Sequence, residues 1–236
     1  MPRKKALFPW ERRSTNGMVQ VDSKAYGKHH RNKRGTHKSA EVNDSFKEAS
    51  KVLLSGNEPA KLIKAAIDPF RNGFYDGSFW PRLLSHFYKE LKEKQAIDFR
   101  SLEGFGLYKG QSLSNVMGFK LKVTTNPDRS TLRVRLTDIS IRISSAIRGI
   151  EAAIVTPVLL FVDERVEWVN AYGEVSVTMD LDDKEIQFDA PIPPNTGTVL
   201  VCIKCEGSDG SKVSTNLRAK GMDIVKAVSL GEIDVA

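Results

Sequence analysis

The spacing of apolar residues changes near Ala96, and this change constrains the fold more than any other feature of the chain. Between residue 39 and Ala96 the apolar residues recur every three or four positions, as they do on one face of an α-helix. Beyond it they alternate with polar residues, as they do in a β-strand with one buried face. The sequence therefore predicts an α+β protein, with a short helical segment at residues 39–95 and a C-terminal antiparallel β-sandwich, immunoglobulin-like or fibronectin-like, at residues 96–236.

Three helices are predicted within the helical segment. The first is expected to end at residues 55–57, where the sequence Ser-Gly-Asn is typical of a helix stop. The second begins at Pro59, because proline fits the first turn of a helix, and it breaks at Asp68-Pro69. The third follows residues 76–78 and has its apolar residues on one side.

The β-sandwich segment contains several short alternating runs separated by turn sequences at residues 126–128, 194–197 and 208–211. In one run the phase slips by one residue after Asp138, which predicts a β-bulge. Residues 198–205 are apolar on both faces, as expected of a central strand. The remaining strands are predicted at residues 118–124, 157–162, 173–181 and 185–189.

Residues 1–38 are strongly basic and show no hydrophobic periodicity. Residues 1–40 contain eleven Lys and Arg against two acidic residues, a net charge of +9, so the rest of the chain carries −2 of the total of +7. Because such a segment buries too little apolar surface to offset its ordering entropy, we interpret residues 1–38 as a flexible, extended basic arm. Within this basic arm, Leu7, Phe8 and Trp10 form a candidate docking anchor. The candidate contacts to nucleic acid or another polyanion are Arg3, Lys4, Lys5, Arg12, Arg13, Lys24, Lys28, Arg31, Lys33, Arg34 and Lys38.

Cys202 and Cys205 are the only cysteines, too few for a disulfide framework. Their spacing fits a redox or zinc pair, but a strand would point the two sulfurs to opposite faces. We therefore favour a structural role for both. A composite zinc site with His29, His30 and His37 is the alternative.

Other patterns that resemble chemical sites each depart from the pattern that the chemistry needs. Residues 104–112 are glycine-rich, but Gln111 occupies the place of the lysine of a phosphate-binding loop. The acidic residues at 180, 182, 183 and 185 lack the spacing of a calcium-binding loop and are expected to form a solvated turn. His86 is interpreted as a packing or surface residue. The sequence thus predicts no catalytic residue, no metal site and no cofactor, and a protein that is not an enzyme.

The order of these segments resembles that of a family of uncharacterised proteins common in Bacteroidetes genomes and their mobile elements. The resemblance covers residues 38–228 and rests on the Lys-rich lead into paired helices at 38–67, on Ile97-Asp98-Phe99 followed by residues 106–110, and on residues 207–216. It implies a helical N-terminal segment, a C-terminal fibronectin-like sandwich and a bacterial or phage setting. It implies no catalytic residue, because that family has no agreed activity.

Two functions of different classes stay open. In the first, the protein is a non-enzymatic structural or assembly component of a bacteriophage virion or mobile element, and its basic arm contacts other protein subunits or packaged nucleic acid. In the second, the basic arm is the main functional element and binds DNA or RNA without sequence preference. The first residues do not resemble a secretion signal, and no apolar run is long enough to span a membrane. We expect no membrane partner, and a location in a virion or the bacterial cytoplasm.

Overall fold

The computed structural model describes residues 11–13, 18–24, 27–32, 44–74, 76–143, 147, 149–173, 176–180 and 184–235. The chain divides into unit 1, residues 1–49, and unit 2, residues 50–236. Helices and mostly antiparallel sheets both occur, and the C-terminal part is rich in strands. The prediction of an α+β protein is confirmed.

Unit 1 contains a three-stranded antiparallel sheet in the order β1-β2-β3. β1 spans Glu11–Arg13, β2 spans Met18–Ser23 and β3 spans Gly27–Asn32. The sequence pattern predicts no strand here, because Val19 and Val21 alternate with polar residues over too few positions to be recognised. Pairing of strands joins backbone groups whatever side chains they carry, so a polar segment can form a ladder that hydrophobic periodicity does not reveal.

Helix α1 spans Asp44–Ile67, and its length corrects the prediction of a stop at residues 55–57. The helix continues through Gly56 and Pro59. Gly56 is buried against the next helix, where an added Cβ atom would lie 3.3 Å from Leu91 Cδ1. Close packing of the two helices therefore outweighs the weak local preference of these residues for a stop.

The predicted helix start at Pro59 is likewise wrong, because Pro59 lies inside α1, but two other predicted boundaries are confirmed. α1 ends just before Asp68-Pro69, and a 3-10 turn, Asp68–Arg71, follows it. Helix α2 spans Phe79–Lys94 and buries Leu83 and Phe87. It is therefore the predicted third helix, with its apolar stripe facing inward.

Two sheets form the C-terminal part, and a short helix α3, Leu113–Val116, precedes the first of their strands. One sheet has the order β12-β4-β5-β9, and the other has the order β11-β10-β6-β7, with β8 also paired to β6. All these pairs are antiparallel except β12 with β4. The strands are β4 Met117–Thr125, β5 Thr131–Ile141, β6 Ala152–Asp163, β7 Val169–Gly173, β8 Val177–Asp180, β9 Glu185–Pro191, β10 Thr196–Ser208, β11 Lys220–Ser229 and β12 Asp234–Val235.

One hydrophobic core lies between these two sheets. Val134 and Leu136 of β5 contribute to it from one sheet, and Val201 and Ile203 of β10 contribute from the other. All four side chains are fully buried. Two facing sheets with a shared core agree with the predicted sandwich, whereas its immunoglobulin-like or fibronectin-like topology stays a prediction.

A second core lies on the opposite face of the β11-β10-β6 sheet. Leu83 and Phe87 of α2 belong to the same cluster of buried residues as Leu160 of β6 and Leu200 of β10. Because α1 also contributes Ile63, the helices cover this face of the sheet. β10 is therefore buried on both faces, as its sequence predicts.

The predicted bulge at Asp138 is confirmed. Between the pairs Gly118–Ser140 and Lys120–Thr137, β4 advances by two residues and β5 by three. Asp138 has a left-handed φ of 52°, a conformation that Asp tolerates better than most residues. The extra residue keeps both Leu136 and Ile139 buried.

Candidate functional site

The basic arm lies partly within the described residues. Arg12 and Arg13 are in β1 and Arg31 is in β3, while Lys24 and Lys28 have exposed side chains. Backbone pairing aligns Arg12 with Gln20, and Gln20 with His30. The remaining predicted contacts lie outside the described residues, together with the docking anchor: Arg3, Lys4, Lys5, Lys33, Arg34, Lys38, Leu7, Phe8 and Trp10.

The net charge divides unequally between the two units. Unit 1 has twelve Lys and Arg against five Asp and Glu, a net charge of +7, which equals the net charge of the whole chain. Unit 2 has 24 of each and is therefore neutral overall. The attraction to polyanions that a net positive charge provides thus belongs to unit 1.

Cys202 and Cys205 lie on opposite faces of β10, as predicted. Cys202 is buried in the core beneath the helices, and Cys205 is buried between the two sheets. Burial and the nearby Asp223 raise the pKa of the Cys202 thiol, and burial with the nearby Glu206 raises that of Cys205 to about 12. A thiol of this kind is a poor nucleophile and a poor metal ligand, so its chemistry agrees with a structural role.

The described residues include no group of three or more His, Cys, Asp or Glu side chains placed to hold a metal ion. Of the acidic residues singled out in the sequence, Asp182 and Asp183 lie outside the described part of the chain. Glu185 forms an ion pair with Arg135, 2.5 Å away. Glu185 is thus part of a charged ladder on the outer face of the β5-β9 pair.

The glycine-rich residues 104–112 run along the edge of β11. The Leu107 amide donates to the carbonyl of Met222, and the Ile224 amide donates to the carbonyl of Phe105. Asp223 then accepts hydrogen bonds from the amide of Leu113 and the hydroxyl of Ser112. The amides of Gly104 and Leu107 are therefore committed to the sheet edge and are not available to a phosphate.

His86 has polar partners that its sequence position does not reveal. Its Nε2 lies 2.8 Å from the hydroxyl of Ser101, which donates to Glu90 Oε2 at 2.9 Å. The Ser101 hydroxyl has one proton, which it uses in the hydrogen bond to Glu90. His86 must therefore donate a hydrogen bond to Ser101 rather than accept one from it. A serine nucleophile needs the opposite direction, with the imidazole as proton acceptor. The three side chains therefore connect α2 to the 3-10 turn Phe99–Leu102.

Burial lowers the pKa of His86, while the nearby Glu90 raises it by a smaller amount. The imidazole is thus kept neutral near pH 7 and is held as the Nε2–H form by its hydrogen bond to Ser101. No sequence motif marks this network, because His86 and Ser101 are fifteen residues apart and on different elements.

A buried ion cluster lies beside the segment that joins α1 to α2. Glu206 accepts from Lys204 at 2.7 Å and lies 3.2 Å from Lys220, and all three side chains are nearly inaccessible to solvent. Both ammonium groups also lie over the ring of Phe74, 5.0 and 5.6 Å from its centre. Two cations thus share one carboxylate in a site with little water, where uncompensated charge is costly.

No known family model matches the chain, and no curated protein matches it. Among solved structures, the putative ApaA protein of Bordetella pertussis is similar over 50% of this chain and 93% of its own, with 13% identity and a TM-score of 0.32. A structural-genomics target solved by X-ray crystallography covers 53% of this chain and 95% of its own, at 12% identity and a TM-score of 0.31. A CC2D1B structure covers 78% and 71%, at 11% identity and a TM-score of 0.22.

Within the described residues, no helix combines the length and the apolar composition that crossing a bilayer requires.

Proposed function

We propose that the protein is a non-enzymatic structural or assembly component, of a bacteriophage virion or a mobile element, whose basic arm contacts neighbouring protein subunits or packaged nucleic acid. The observation that carries the proposal is the location of the charge. Unit 1 carries all of the net +7, whereas unit 2 is neutral. A charged segment in the same chain as a neutral folded unit is suited to docking by electrostatic attraction.

The interior of unit 2 supports a scaffolding role. Two hydrophobic cores fill the spaces between helices and sheet and between the two sheets. Rigid packed layers of this kind provide fixed surfaces without requiring a reactive group. The His86–Ser101–Glu90 network has the donor order of a structural connection, which agrees with a protein that is not an enzyme.

The alternative is a non-specific nucleic-acid-binding protein that acts through the basic arm. The exposed side chains of Lys24 and Lys28 favour it, because exposed cations neutralise phosphates and release counterions. In this alternative the affinity depends steeply on salt and weakly on base sequence. Assembly and nucleic-acid binding can therefore be separated by measurement.

Two double charge-reversal variants of the full chain test the proposal. One double variant is Lys24→Glu with Lys28→Glu, and its matched control is Lys89→Glu with Lys92→Glu, two exposed residues of α2. Each pair lowers the net charge of the chain from +7 to +3. Sedimentation velocity measures association over a range of protein concentrations. We expect the parent protein to associate. The double variant in unit 1 should weaken this association, and the double variant in α2 should leave it unchanged.

A parallel titration with fluorescent single-stranded DNA distinguishes the two functions. Tight DNA binding with a log-log salt slope of roughly −0.7 per phosphate contact, without association of the protein alone, favours the alternative. Equal effects of the two variant pairs would show that total charge, rather than the basic arm, governs binding. That result would overturn the proposal.

A further inference from the structure

A cleft of about 640 Å³ opens at the corner between α1 and α2. The end of α1, residues 68–69, 71–74 and 76–77 of the connecting segment, and the start of α2 line this corner cleft. Lys64 and Arg71 bring positive charge to its wall, and Trp80 brings a partly exposed aromatic ring. The corner cleft belongs wholly to unit 2 and lies far along the chain from the basic arm.

Arg71 is held in place at the wall of the corner cleft but is not fully paired. Its guanidinium lies 3.9 Å from the ring centre of Phe79, and Nη1 donates to Asp68 at 3.1 Å. Nη2 makes a long contact of 3.4 Å with the carbonyl of Phe74, and the buried Nε has no partner. Lys64 contacts the same Asp68 carboxylate. One carboxylate therefore serves two cations.

The buried ion cluster adds positive charge directly behind the wall. Lys204 donates to the carbonyl of Asn72 at 3.2 Å, and Gly73 lies so close that an added Cβ atom would be 3.3 Å from Lys220 Nζ. Gly73 has a φ of 79°, a conformation that glycine adopts without strain. Only the backbone around Gly73 thus separates the ammonium groups of Lys204 and Lys220 from the corner cleft.

The charges around the corner cleft do not balance. Asp76 also lines the corner cleft, but its charge is balanced by Arg82, 2.8 Å away. The remaining cations are Lys64, Arg71, Lys204 and Lys220, and the remaining carboxylates are Asp68 and Glu206. The surplus is two positive charges in a partly dehydrated region, where unpaired charge is expensive. An anion in the corner cleft would supply the missing counter-charge.

We propose that the corner cleft binds a small organic anion, held through a phosphate or carboxylate group near Lys64 and Arg71, with an apolar ring against Trp80. Arginine and lysine are the side chains that recognise such oxyanions. A ring fits the aromatic side of the corner cleft, and the volume suits a small molecule rather than a polymer. This activity is independent of the basic arm and of the proposed assembly role.

Binding is measured by NMR titration of the ¹⁵N-labelled full chain with inorganic phosphate, phenyl phosphate, acetate and benzoate. We expect saturable shifts of the Gly73 and Gly77 amides, and tighter binding of each ring-bearing compound than of its simple counterpart. The two phosphate arms and the two carboxylate arms show which oxyanion is preferred. Shifts that do not saturate, or that spread over lysines elsewhere on the surface, would overturn the proposal.

Two variants should change the affinity of the corner cleft in opposite directions, and a third serves as a control. Lys64→Gln should weaken binding about threefold to fivefold, the effect of one partly exposed ion pair. Asp68→Asn should tighten binding by a similar factor, because it releases both cations to the ligand. Lys61→Gln is the matched control: Lys61 lies on the same helix and pairs with Glu58 at 2.6 Å, away from the corner cleft. Equal affinities for Lys64→Gln and Lys61→Gln would contradict the proposed site.

Discussion

Asp76 connects the start of α2 to the loop after the second 3-10 turn, and it does so with a single carboxylate. One oxygen accepts from the amide and hydroxyl of Ser78, and the other accepts from Arg82 and the amide of Lys109. Burial alone would raise the pKa of Asp76, but these hydrogen bonds outweigh burial and lower it from 3.8 to about 2. Only the ionised carboxylate makes all four contacts, so folding favours the charged form.

Because the pKa of Asp76 is lower in the folded state, its stabilisation is present above pH 3.8 and is lost as the pH falls toward 2. We expect Asp76→Asn to lower the free energy of unfolding by about 2 kcal/mol at neutral pH. The difference from the parent protein should shrink between pH 4 and pH 2. Urea unfolding at a series of pH values measures both quantities.

Asp138→Asn is the control for this experiment. Asp138 is an exposed carboxylate paired with Lys120, and asparagine accepts its left-handed backbone conformation readily. Its substitution should change stability much less than that of Asp76, because solvent screens exposed ion pairs. A pH-independent difference between the parent and Asp76→Asn would show that the lowered pKa does not contribute to stability.

Two neighbouring strands, β10 and β11, show what can and cannot be predicted from the sequence. β10 was predictable because Val201 and Cys202 face different apolar cores, so the whole strand is apolar. β11 was missed because its polar residues, the buried Lys220 and the partly buried Asp223, break the alternation that marks a strand. Their partners come from distant parts of the chain, which no local pattern reveals. The first helix was also predicted to be too short, because the length of α1 depends on its contact with α2, which no local pattern reveals.

Gly221 tests how closely β11 packs against the start of α3. A Cβ atom at Gly221 would lie 2.7 Å from Leu113 Cα, a backbone atom that cannot rotate away. Gly118 of β4 is the matched control, because its nearest neighbour, 2.5 Å away, is the end of the flexible Arg142 side chain. We expect Gly221→Ala to destabilise by about 1–3 kcal/mol and Gly118→Ala by clearly less. Equal melting temperatures for the two variants would contradict the close packing.

Over the molecule as a whole, the change of apolar period near Ala96 predicted a helical segment followed by a strand-rich segment, but not the three strands that precede them in the chain. It did not predict that the helices cover one face of the sheet, since an amphipathic stripe does not identify the surface it packs on. The apolar character of both faces of β10 was the available signal. For the basic arm, charge identified the segment, but its three short strands lack the periodicity on which the prediction of strands depends.

In this account the basic arm makes the contacts to partners, while the rest of the chain, which carries a net charge of −2, folds without it. Elution from a heparin column, a generic polyanion, tests it most directly by comparing the full chain with a chain that begins at residue 39. Removal of residues 1–38 takes away eleven Lys and Arg against two acidic residues. We expect the full chain to be retained until the salt concentration is raised, and the shortened chain to flow through with an unchanged melting transition. Equal retention of the two chains would contradict the claim.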